Sequence, residues 1–264
     1  PAAHLQGQEK VGFQRQKEII YGRKHGLAMT MDVFVPKDKA NGLGVIAVVS
    51  GGWFSGQASI ASPAGLLPRF FNKQLEELLR RGYTVFAVVH GSQPKHTVPE
   101  ILEDMHRAVR FVRHHAEDYK VDSARLGIFG GSAGGHLSLM LGLAADDGDP
   151  QATDEVLRTS SHVAAVVANF PPVDLRRRVT PSERFPARVP DQAISFAQGL
   201  VQPNAKEQFV ALDFEEELAA SVSPILHVSA DDPPTLLIHG DADALVDFNN
   251  SELMYSALVA SGVE

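Results

Sequence analysis

The sequence of 264 residues predicts an α/β fold: a mostly parallel sheet with helices on both faces. Two observations carry this. From Val45 onward, short apolar runs rich in β-branched residues alternate with segments of helical periodicity. Those runs are apolar throughout, as strands covered by helices above and below must be. Composition agrees, since 44% hydrophobic and 21% charged residues suit a chain with a large core and exclude disorder as its main state. With 24 Lys+Arg against 32 Asp+Glu the net charge is −8, which argues against nucleic-acid and anionic-membrane partners. The apolar runs are strand-length, short of the roughly 20 residues that a membrane helix needs.

The elements follow in order. Residues 19–21 and 29–35 read as two antiparallel strands joined by a turn at 23–26, with Pro36 closing the second. Parallel strands are expected at residues 45–49, 84–89, 125–129, 163–168 and 235–239. Between them, residues 75–81 form a short helix stopped by Gly82. The next helix places Ile101, Met105, Ala108, Val109 and Val112 on one face and Glu103, Arg107 and Arg110 on the outer one. On that reading Glu103 and Asp104 form exposed pairs with Arg107 and Arg110. A helix follows Ser132, and another spans residues 248–260. Residues 171–234 break the alternation with Pro and Arg and only patchy helical stretches such as 214–220, so they read as an insertion forming a small cap on a single domain of residues 1–264. The cluster Arg176–Arg178 within it reads as a solvated loop, or as a binder of an anionic group such as a uronate.

Without cysteine the chain has neither disulfides nor thiolate metal sites. It begins at Pro1 with no apolar leader, as a processed or trimmed product does. A soluble protein is expected. The compartment is unassigned, with secretion or periplasmic export after signal removal as one expectation.

Three segments carry chemistry. The strand ending at Phe129 runs into Gly130-Gly131-Ser132-Ala133-Gly134-Gly135 and then a helix, which is G-x-S-x-G in its strand–turn–helix setting. A sharp turn there crowds the backbone, so Gly130 and Gly134 supply the small residues two places before and after Ser132. The hydroxyl then stands at a helix N-terminus, where N–H groups favour developing negative charge. Second, Ser50-Gly51-Gly52-Trp53 follows the first parallel strand, where a glycine loop lets peptide N–H groups approach a substrate. Third, His239-Gly240-Asp241-Ala242-Asp243 puts carboxylates past the end of a late strand, at the sheet edge where open α/β folds bind ligands. Asp243 is assigned as an acid able to orient an imidazole, and Asp241 to the turn.

Together the segments GGSAGGH, SGGW, PEILEDMHRAVRFVR and DDPPTLLIHGDADALV resemble the α/β-hydrolase superfamily, nearest its hormone-sensitive-lipase-like and acetyl-xylan or feruloyl esterase branch. The resemblance runs from about Met29 to the last residue and implies the α/β-hydrolase fold. It implies Ser132 as nucleophile, Ala133 with Gly51 and Gly52 as the oxyanion hole, Asp243 as triad acid, and no cofactor or metal. It also implies a small ester as substrate, with Trp53 and Phe54 packing on a sugar ring or short acyl chain, or serving as core residues instead. The family's loop usually reads HGGGW. Aligned on Trp53, Val49 here replaces its histidine and Ser50 its first glycine.

A larger departure concerns the base. The family order is Ser, acid, His, yet the last histidine is His239, ahead of Asp243. His136 is expected to point away from the turn, and His239 to shape the acid loop. By the family's strand order, His90 and His96 sit on a loop after a strand two places from the nucleophile, roughly 10 Å away. His4, His25, His106, His114, His115, His162 and His227 read as surface or packing residues. The expectation is an esterase lacking its final strand, histidine loop and helix, with impaired activity. Its strand at 235–239 is then an unpaired apolar edge prone to homo-oligomerisation. The reading from another class is a non-catalytic ligand-binding protein on the same scaffold.

Overall fold

The computed structural model describes residues 12–61, 66–93, 95–176 and 216–264. The sheet opens with a hairpin of β1 (Phe13–Lys24) and β2 (Leu27–Pro36). His25 and Gly26 turn it, both with left-handed φ (49° and 77°), the conformation that matches the twist of the flanking strands. The remaining strands are β3 (Gly44–Val48), β4 (Thr84–Val88), β5 (Leu126–Gly131), β6 (Ala165–Asn169) and β7 (Thr235–Ile238). They assemble in the order β1-β2-β4-β3-β5-β6-β7. β1–β2 and β2–β4 pair antiparallel and the other pairs are parallel. The α-helices among the described residues are α1 (Gln57–Ala61), α2 (Leu66–Arg80), α3 (Val98–His114), α4 (Ala133–Leu143), α5 (Glu216–Ser221) and α6 (Asn249–Ala260).

Strand alternation sorts the core onto two sheet faces. Ile46 and Val48 of β3, Phe86 and Val88 of β4 and Ile128 of β5 pack with α3, α4 and α6 through Met105, Val109, Leu137 and Met254. The intervening Ala47, Val85, Ala87 and Phe129 pack with Ile60 of α1 and Leu75 and Leu79 of α2. Each large side chain so buried contributes about 1.5–3 kcal/mol. α3 starts at a capping box, in which Thr97 Oγ1 accepts from Glu100 N–H and the Glu100 carboxylate accepts from Thr97 N–H at 2.7 Å.

Several expectations need correction. The hairpin strands extend well beyond residues 19–21, because β1 is largely exposed and so carries no clear alternation. α2 starts at Leu66, nine residues before the predicted 75, with Pro68 in its first turn, where proline is tolerated. Arg110 and Asp104 of α3 are buried rather than exposed. Arg110 pairs with Asp146, Arg107 with Asp154 at 2.6 Å, and Asp104 with Lys24 at 3.2 Å. Desolvation raises the pKa of Asp104, opposed by Lys24.

Of the proposed cap, residues 177–215 lie outside the described residues, Arg177 and Arg178 with them. The Arg176 guanidinium forks onto the Asp174 carboxylate at 2.9 Å for both contacts. At the other side of the sheet β7 is the last strand among the described residues, with Leu236 and Ile238 56% and 45% exposed. No helix among the described residues is long and apolar enough to cross a membrane.

Candidate active site

β5 passes into α4 through Ser132, whose φ of 55° and ψ of −124° lie where non-glycine residues are strained by about 1–3 kcal/mol. The surroundings hold it there. Ser132 N–H donates to the Asn169 carbonyl at 2.9 Å, and His136 N–H to the Ser132 carbonyl at 3.0 Å. The Asn169 side chain, fully buried at the end of β6, donates to the Gly130 carbonyl at 3.0 Å and accepts from Gln74 at 3.3 Å. The motif's first glycine is sterically required and its second is tightly packed. A Cβ at position 130 would overlap the Gly134 carbonyl, and one at position 134 would stand 3.0 Å from the Val48 carbonyl of β3. Ser132 is half-buried and therefore reachable, between buried Gly131 and Ala133. Ala133 occupies the first position of α4, so its N–H has no intrahelical acceptor and lies at the positive end of the helix dipole.

The loop after β3 makes a two-residue turn. Gly51 N–H donates to the Phe54 carbonyl at 2.9 Å and Phe54 N–H returns to the Gly51 carbonyl at 3.0 Å. Gly52 and Trp53 between them have φ of 57° and 60°. The Gly51 N–H, expected from the sequence to face an oxyanion, is thus committed inside the turn. The N–H groups of Gly52 and Trp53 have no acceptor among the described residues. Trp53 is only 5% exposed and Phe54 half-buried. The indole N–H of Trp53 donates to His136 Nδ1 at 3.2 Å, the rings meeting edge to face at 5.4 Å.

That bond fixes the histidine's protonation. With Nδ1 accepting from Trp53, His136 carries its proton on Nε2 and donates it to the Val222 carbonyl at 2.7 Å. Complete burial lowers its pKa to about 4. Its ring stays neutral, with both nitrogens engaged by Trp53 and Val222 rather than by Ser132.

Beyond β7, Asp243 N–H donates to the Gly240 carbonyl at 3.1 Å, closing a turn centred on Asp241 and Ala242. Asp243 Oδ1 accepts from the N–H groups of Leu245 at 2.8 Å and Val246 at 3.0 Å. Its Oδ2 lies 3.6 Å from His239 Nε2. His239 is itself engaged, Nε2 with the Val246 carbonyl at 2.9 Å and Nδ1 with the Ser251 hydroxyl at 2.7 Å, so it shapes the acid loop. His90 and His96 are buried on the loop after β4, two strands from β5. His90 Nδ1 donates to the Gly91 carbonyl at 2.6 Å, and burial lowers its pKa to about 4. Among the described residues no histidine hydrogen-bonds Ser132, and no group of three His, Asp or Glu could hold a metal ion. The bracing role of Asn169 escaped the sequence reading; its one signal was a polar residue closing an apolar strand.

The strand order and the elbow at the end of β5 are those of the α/β-hydrolase fold. An acetyl ester-xyloside bifunctional hydrolase from Caldicellulosiruptor lactoaceticus superposes with a TM-score of 0.71 at 23% identity, over 93% of this chain and 82% of that one. A truncated carbohydrate esterase from gut microbiota gives 0.71 at 25% identity, over 97% and 87%. Among curated proteins, the esterase LipC of Mycobacterium tuberculosis is 28% identical over 238 residues, 89% of this chain and 52% of LipC. The chain spans about half the length of the curated relatives it matches. The BD-FAE family matches residues 31–258, and the chain belongs to that family.

Proposed function

We propose that the chain is a carboxylic ester hydrolase that works through Ser132. The observation that carries this is the strained elbow, in which a reachable serine is held in an unfavourable backbone conformation at a helix N-terminus by Asn169, Gly130 and Gly134. Such strain persists at functional sites because the surroundings over-determine it. The relatives add support, since LipC is an esterase.

In the proposed reaction Ser132 Oγ attacks the ester carbonyl and yields its proton to a base. The carbonyl oxygen becomes an oxyanion received by Ala133 N–H and by the outward N–H groups of the Gly51–Phe54 turn, with Gly51 closing that turn. Collapse breaks the bond to the alcohol, which leaves protonated. Water then hydrolyses the acyl-serine and restores the hydroxyl. Asp243 is the acid that orients the base. Among the described residues no histidine hydrogen-bonds Ser132, so with these residues alone attack is slow and the oxyanion donors leave a residual rate.

The substrate class is a small ester, an acetylated or feruloylated carbohydrate. In this reading Phe54 packs on the substrate and Trp53 holds the loop beneath it, while most of the cap expected at residues 171–234 lies outside the described residues. A second copy adds at the β7 edge, where Leu236 and Ile238 are exposed; a monomeric mass in light scattering at high concentration contradicts that part.

A chromogenic acetate ester tests the main reading. Turnover several orders of magnitude below that of an intact triad, and lost in Ser132→Ala, is expected. Equal rates for the two proteins overturn it. The engaged ring nitrogens of His136 and His239 favour one second reading, a non-catalytic binder of such esters. Binding of an acetylated oligosaccharide without any Ser132-dependent cleavage would establish it.

A further inference from the structure

We infer that Gln93 is a positioning residue that aims the outward N–H groups of the oxyanion turn. The inference rests on the esterase reading and extends it to a residue on another strand's loop. Gln93 follows β4, is 3% exposed, and reaches across to the turn after β3. Its side-chain amide donates to the Gly52 carbonyl, and its backbone N–H donates to the Trp53 carbonyl at 3.3 Å.

A trans peptide is planar, so its carbonyl and its N–H point in opposite directions. The Gly52 carbonyl and the Trp53 N–H belong to one such plane. Holding the carbonyl on Gln93 therefore directs the Trp53 N–H away from Gln93 and outward from the turn. The adjoining plane is fixed likewise, because the Gly51 carbonyl is held by Phe54 N–H and the Gly52 N–H must face the opposite way. Two consecutive N–H groups without acceptors among the described residues are left presented, one aimed by the turn itself and the other by Gln93.

The chemistry of the side chain supports a directing role over a packing one. Only the amide nitrogen can face a carbonyl, so the orientation of the group is set by Gly52. Gln93 Oε1 is then left buried without a partner among the described residues. Burying an acceptor unpaired lowers stability, and an apolar side chain of the same length would avoid that. Neighbouring contacts hold the base of the turn instead. Ser92 Oγ accepts from Ser55 N–H and donates to the Ser55 carbonyl, both at 2.9 Å, and Ser55 Oγ donates to the Val49 carbonyl.

Trp53 is the chain's single tryptophan, so its emission reports on the turn directly. The test compares Gln93→Met, similar in length but without a donor, with Gln93→Glu, which presents only acceptors to the Gly52 carbonyl when ionised. Ser92→Ala serves as control for general loosening of the loop. Ester turnover, Trp53 emission and melting temperature are measured on each. For both Gln93 variants a fall in kcat of about tenfold or more is expected, at a KM within about twofold, with shifted emission and a retained cooperative melt. Ser92→Ala is expected to retain most of kcat. Unchanged kcat in Gln93→Met, or an equal fall in Ser92→Ala, overturns the inference. Should the unmodified chain show no Ser132-dependent turnover, the esterase reading fails on its own. The emission of Gln93→Met then decides whether Gln93 holds the turn, an unchanged spectrum again overturning the inference.

Discussion

The proposed nucleophile side and the proposed acid side of the site are built on different supports. Ser132 stands between central strands, with Asn169 of β6 clasping its elbow and every residue of α4 buried. Asp243 stands beyond β7, the last strand among the described residues, where Leu236, Ile238, Leu245 and Tyr255 are exposed. The elbow carries backbone strain that only a packed core can hold. The acid loop holds its carboxylate with two local N–H groups, from Leu245 and Val246, that need no core. Preorganisation in this molecule is therefore concentrated on Ser132 and the N–H groups proposed to receive the oxyanion.

If that contrast is correct, the elbow tolerates no added atom. Gly130→Ala is expected to destabilise the fold by about 3 kcal/mol or more, since its Cβ meets backbone that cannot retreat. Gly240→Ala, at the acid loop, meets nothing within 4 Å and is expected to stay near the parent. Urea unfolding of both variants checks this, and similar losses would erase the distinction.

Acid should also act first on the nucleophile side. His90, His106 and His136 lie on the loop after β4, on α3 and on α4, and burial lowers the pKa of each to about 4. Their ordinary value is 6.5. Between pH 6.5 and 4 the unfolded chain therefore binds more protons than the folded one. The stability from keeping these rings neutral is fully present above pH 6.5 and falls as pH drops through that window. Unfolding free energies from urea melts between pH 7 and 4.5 are expected to decline with a slope of at most about three protons, and His106→Leu to reduce it by about one.

Smaller still is the expected effect at His136. His136→Phe removes the acceptor of the Trp53 indole and the donor to Val222, a loss of about 1–3 kcal/mol that should appear in melting and in Trp53 emission. The least effect is expected from Asp243→Asn. Among the described residues no histidine bonds Ser132, and His239, 3.6 Å from the carboxylate, is held by Val246 and Ser251, so the rate of covalent labelling of Ser132 should change by less than about tenfold. A drop comparable to that of a nucleophile variant would place the two sides on an equal footing.

The same contrast explains what was readable in the sequence. Strands with both faces buried, such as β4, announce themselves as apolar runs, and the G-x-S-x-G turn shows its steric demand in the glycines themselves. The exposed β1 gave no alternation to read. Asp104 and Arg110 looked like solvent-facing charges because their partners, Lys24 and Asp146, are distant in sequence. Asn169 and Gln93 were invisible for the same reason, each acting on backbone brought close only by the sheet order. The Gly51 assignment came from counting along a motif, which cannot reveal that a turn closes on the N–H in question.

The most direct test of the central claim is covalent labelling by a fluorophosphonate, with the modified peptide mapped by mass spectrometry. One label per folded chain, located at Ser132 and absent from Ser132→Ala, is the result predicted here. A folded chain that takes up no label, or takes it at another residue, contradicts the account of a preorganised nucleophile.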